Sequence, residues 1–164
     1  MEWYPWIVLI HVAGGFGFVL GHGTSVMVAF RLRSERDPGR VSALLDLSSG
    51  SLGMMYGALL VLLIAGIAAG FVGGYWGQAW IWVALGVFIV IVVAMYPLGS
   101  QHYAKVRRAF GLKTYQDKAD APAPEPASAA EQAALLASPQ PWILSILGGG
   151  GLLIILWLMV VKPF

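Results

Sequence analysis

Residues 5–30, "PWIVLIHVAGGFGFVLGHGTSVMVAF", run from end to end without an aspartate, glutamate, lysine or arginine. Coiled as a helix, the stretch is about 39 Å long, enough to cross a hydrocarbon core of about 30 Å. Three further apolar stretches reach spanning length, at about 50–72, 79–104 and 142–161. The whole chain of 164 residues is 59% hydrophobic and only 11% charged, where a soluble domain carries about a quarter charged residues. These readings predict an all-α polytopic membrane protein, a single four-transmembrane-helix bundle over residues 1–164. Its first partner is then the lipid bilayer, and no nucleic-acid partner is expected.

The basic residues set an orientation. Arg31, Arg33, Arg36 and Arg40 fall between the first two spans, and Lys105, Arg107, Arg108, Lys113 and Lys118 follow the third. Only Lys162 lies elsewhere. The positive-inside rule puts both basic loops in the cytoplasm and both termini outside, as in a multi-pass protein of the cytoplasmic membrane. Trp3, Trp6, Trp76, Trp80, Trp82 and Trp157 then gather toward the outer face as an interfacial belt, leaving Trp142 at the inner edge. The opening "MEWYPWIVLI" lacks the basic region of a signal peptide, so the first span is expected to stay in the mature chain.

Local signals refine this plan. In "DPGR", Asp37 is placed to cap a helix and Pro38 to occupy its first turn. The following "VSALLDLSS" reads as an interfacial lead-in to the second span. Pro97 lacks a backbone N–H and predicts a kink in the third. Residues 114–140, rich in alanine and proline from 119 onward, read as a flexible cytoplasmic linker with a helical turn or two at "AAEQAALLA". Glycine pairs four residues apart, Gly17/Gly21, Gly53/Gly57 and Gly66/Gly70, suit close helix packing. Gly-rich helix faces of this kind also suit a homo-oligomer or a larger membrane complex.

The first span holds two of the three histidines. His11 and His22 are separated by about 16.5 Å along a helix and by about 20° around it, so they share a face yet cannot ligate one ion. By helical rise, His22, Met95 on span three and the glycines Gly148–Gly151 on span four fall at similar depths. Met54, Met55 and Tyr56 on span two join that layer. An imidazole, thioethers and a wall without side chains are what a flat cofactor such as haem b needs. His22, His11 and Met95 are therefore candidate cofactor-binding residues. His11, His22 and His102 are candidate metal ligands, copper being the metal that imidazole and thioether suit. The competing reading is that each imidazole bonds a neighbouring helix and each glycine lets helices touch.

Absences exclude several classes. With no cysteine there is no disulfide, thiolate metal site or c-type haem attachment. All eight acids lie outside the four spans, which argues against a proton- or sodium-coupled transporter. No Ser/His/Asp constellation or acid–base pair is present, and no catalytic residue is assigned.

The segment "LIHVAGGFGFVLGHGTSVMVAFRLR" and the close "LWLMVVKPF" resemble an uncharacterised bacterial family of small four-helix integral membrane proteins. More distantly they look like the membrane domain of copper-resistance D (CopD)-type proteins. The resemblance implies the four-helix fold and gives His11 weight as the matching first-span histidine. Three functions stay open at this point: an accessory or structural bundle, a b-type haem electron-transfer protein, and a copper-handling protein. The first requires no ligand set that the sequence fails to supply.

Overall fold

A computed structural model describes residues 2–164. It is all-helical over those residues: α1 (Tyr4–Ser34), α2 (Pro38–Val72), α3 (Ala79–Met95), α4 (Gln101–Ala109), α5 (Ala129–Leu136) and α6 (Gln140–Val161). A 3₁₀ turn, Tyr75–Gly77, joins α2 to α3, and a π-helical segment, Tyr96–Ser100, joins α3 to α4 without a break. Four helical stretches, α1, α2, α3 through α4, and α5 through α6, are long and apolar enough to cross a membrane.

α2 runs as one helix of 35 residues through the stretch expected to be a separate lead-in. At helical rise it is about 52 Å long, so its first turns extend past a hydrocarbon core. Asp37 caps it as expected, its carboxylate accepting from Arg40 N at 2.8 Å, with Pro38 in the first turn. Just before it, Glu35 Oε1 accepts from the backbone N–H groups of Arg36 and Asp37 at 3.0 and 3.2 Å. One carboxylate thus satisfies the sharp α1–α2 connection and leaves Glu35 buried.

Pro97 has its effect as a π-helical turn. With no proline N–H for the usual bond, the ladder widens and Gln101 N–H reaches back five residues to Tyr96 O. Gln140 Nε2 donates to Leu98 O at 2.9 Å from the start of α6, supplying a partner inside the widened turn.

α2 packs along α1 and α3 along α6, while α1 and α6 connect the two pairs more sparingly. Two buried clusters lie at the opposite ends. At the basic end Val28, Leu32, Val41, Leu45, Val106 and Leu136 pack together. At the aromatic end Trp80, Ile81, Ala84 and Leu158 do so. The 114–140 connection, expected to be a flexible linker, contributes to the first cluster through Leu136 on α5. Gln132 Nε2 donates to Ala109 O at 2.9 Å, and Ala127 N–H to the same carbonyl at 2.9 Å. The two-turn α5 lies within the "AAEQAALLA" segment and is capped by Ser128.

Arg107 stitches this end together. It donates to Asp46 at 3.0 Å, Ser49 at 3.1 Å and Lys113 O at 2.9 Å. Arg108 pairs with Asp117 at 2.6 Å.

Candidate functional site

His11 and His22 rise from one helix but meet different neighbours. His11 Nδ1 lies 2.8 Å from Leu62 O on α2. A carbonyl only accepts, so Nδ1 carries the proton. The ring fits because position 66 is glycine: a Cβ there would lie 2.9 Å from both His11 Cε1 and Nδ1. Further along the same seam, Ser48 Oγ donates to Ser25 Oγ at 3.0 Å, and Ser25 and Ser51 lie 3.2 Å apart. Ser51 Oγ in turn donates to Ser48 O at 2.8 Å. Each of these three serine hydroxyls has an acceptor.

Between these polar contacts the α1 and α2 backbones approach closely. A Cβ at Gly14 would fall 2.8 Å from Leu62 N, and one at Gly21 would fall 3.0 Å from Met55 Cα. Only glycine permits that approach, and backbone cannot swing aside as a side-chain tip can.

His22 turns toward α6. Its ring stacks on Phe18 with centroids 5.5 Å apart and planes 6° from parallel. A Cβ at Gly148 would lie 2.5 Å from Met95 Cε and 3.6 Å from His22 Nε2. His22 and Met95 thus both border the notch at Gly148. Met55 belongs to the same level of α1, opposite Gly21. Among the described residues the His22 ring makes no hydrogen bond, in contrast to the other two histidines. His22 itself is half-buried, whereas one turn along α6 Ser145 Oγ is fully buried without a partner.

His102 sits apart from both. Its Nε2 lies 3.2 Å from Ser138 Oγ, and its ring meets Tyr103 edge-on at 5.1 Å. The sequence offered weak signals for this contact and for the Gln140 bond: a serine and a glutamine interrupting the entry to an apolar run.

Two of the four positions in the glycine wall are occupied by protein, whereas nothing lies within 4 Å of a Cβ at Gly149 or Gly150. Met95 Cε fills the notch at Gly148, and Ile91 Cδ1 that at Gly151. A flat macrocycle seated against Gly148 and Gly151 would have to displace both side chains. For a metal ion, His22 Nε2 and the Met95 thioether are the donors at hand. No group of three or more His, Asp or Glu side chains converges anywhere among the described residues.

Comparison with protein-family models, curated proteins and solved structures finds no match to this chain.

Proposed function

We propose that this chain is an accessory or structural four-helix membrane protein whose intramembrane histidines and glycines serve helix association. The observation that carries the reading is the filled glycine seam: Met95 and Ile91 of α3 occupy the notches that Gly148 and Gly151 leave on α6. His11 and His102 fit the same reading, each engaged by another part of the chain. In this proposal the protein resides in the cytoplasmic membrane, basic loops inside and termini outside, by the positive-inside rule. Kinship with the small four-helix family, and more distantly with CopD-type domains, is part of the proposal.

A second reading rests on His22 alone. An imidazole at membrane depth without a hydrogen-bond partner is costly, and a ligand bond from Nε2 would relieve it. Such a bond would make this a haem b or copper protein.

The test is protein purified gently from a haem-replete host. The accessory-bundle reading predicts a flat visible spectrum, no reduced-minus-oxidised α-band and no stoichiometric copper from folded material. A Soret band, or one copper per chain, that disappears in His22→Ala would replace it with the second reading.

A further inference from the structure

At the aromatic end the ends of three spans and one connection converge on a single cation. Lys162 Nζ stands 4.2 Å from the centroid of the Tyr75 ring and 5.6 Å from that of Trp80. The two rings are tilted by 59° with centroids 5.6 Å apart, so they form two walls of a cage. Each wall also has a partner besides the lysine. Tyr75 OH bonds Tyr4 OH at 3.1 Å, tying the wall to the start of α1. Trp80 is 5% exposed, packs with Ile81, Ala84 and Leu158, and donates its indole N–H to Gln78 Oε1.

The occupant is held differently. Lys162 is the only non-glycine residue with positive φ among those described, at φ 48° and ψ 61°. A side chain is strained there. Its backbone N–H bonds Leu158 O at 3.0 Å, while Pro163 and Phe164 beyond it are exposed. The molecule thus combines an aromatic cage, one wall buried (Trp80) and one half-buried (Tyr75), with a strained, exposed cation seated in it. Aromatic faces attract ammonium groups of any parentage, and an interfacial aromatic belt lies at headgroup level.

We propose that the Tyr75–Trp80 cage is an alkylammonium-binding site, in which Lys162 is an exchangeable internal occupant displaced by an ammonium group from outside. That group comes from a lipid headgroup or from a free amine. The proposal is independent of whether His22 binds a cofactor.

The test uses the full chain in phosphatidylglycerol nanodiscs with its lysines converted to ¹³C-dimethyl-lysine, which retains the charge. One dimethyl resonance, absent in Lys162→Arg, should lie upfield because it sits over aromatic rings. Tetramethylammonium chloride should return it to the position of exposed lysines, and sodium chloride at equal concentration should not. If phosphatidylcholine in the disc does so unaided, the source is a headgroup. If only soluble tetramethylammonium does so, the source is a free amine. Tyr75→Phe, which keeps the ring and removes the hydroxyl that meets Tyr4 and Lys162, should preserve the upfield position, and Tyr75→Leu should abolish it. Absence of an upfield signal, its loss in Tyr75→Phe, or a signal that neither tetramethylammonium nor phosphatidylcholine moves would overturn the proposal.

Discussion

At the basic end, Leu32, Val41, Leu45 and Val106 are each 2% exposed or less. Three turns away on the same α1, at Gly21, the helix meets α2 with no side chain of its own in between. The first region packs by burying large side chains, and the second by removing them. Their surroundings explain the difference. As helices that could cross a membrane, α1 and α2 are long enough to run on past the hydrocarbon at the basic end, where water would make the burial of leucine and valine favourable. Within the bilayer, lipid solvates those side chains as well as protein does, so close backbone approach and hydrogen bonds must do the joining. Accordingly, only 11% of the most apolar window of each span is buried within the chain.

The sharpest way to break the comparison is to treat both regions with the same kinds of substitution. Leu32→Ala should cost about 2–5 kcal/mol, because it opens a cavity in the buried cluster at the basic end. A reversible unfolding titration in mixed micelles would measure this. Gly14→Leu should cost about 1–3 kcal/mol or more through overpacking, since its Cβ would press on the Leu62 backbone. By contrast, Gly53→Leu should leave intrachain stability unchanged, because nothing lies within 4 Å of a Cβ there. If Gly53→Leu instead dissociates an oligomer in crosslinking, the open glycine face of α2 is an interface between copies.

How much of this was legible beforehand follows the same division. The four spans, the Asp37 cap and the shared depth of His22, Met95 and Gly148 come from composition and helical rise, which need no tertiary information. Which neighbour each histidine meets was hidden, because α1 contacts α2 on one side and α6 on another, and periodicity assigns a face without assigning a partner. The same limit made "GGGG" ambiguous: an absent side chain reads alike whether a cofactor or Met95 fills the space. Arg107 was counted as a topology signal, and its bonds to Asp46 and Ser49 depend on α4 folding beside α2.

A smaller effect concerns pH. Backbone N–H donors from Arg36 and then Asp37 hold the Glu35 carboxyl below its ordinary value of 4.5. Asp117 is likewise lowered from 3.8, first by the Thr114 hydroxyl and then by its backbone N–H. A carboxylate lowered on folding contributes stability above its unfolded pKa and loses it as pH falls through the folded one. The basic end should therefore loosen first below about pH 4.5, seen as faster amide exchange at Arg36 and Thr114. Glu35→Gln should remove most of that pH dependence around Arg36.

His11→Ala should be smaller still, about 1 kcal/mol. Leu62 O lies within a continuous helix whose own ladder still reaches it, so losing the imidazole leaves no bare carbonyl. Thermal unfolding in lipid discs is a sufficient measurement.

The central claim, that Gly148 and Gly151 of α6 receive α3 side chains, is tested most directly by a double-mutant cycle at Gly148 and Met95. Gly148→Ala puts a methyl 2.5 Å from Met95 Cε, and Met95→Ala withdraws the group it strikes. The account predicts that Gly148→Ala destabilises the native chain but is tolerated in the Met95→Ala background, with a coupling of about 0.5–3 kcal/mol. Additivity within about 0.5 kcal/mol would contradict it, for the glycine wall would then be serving something other than the side chain that fills it.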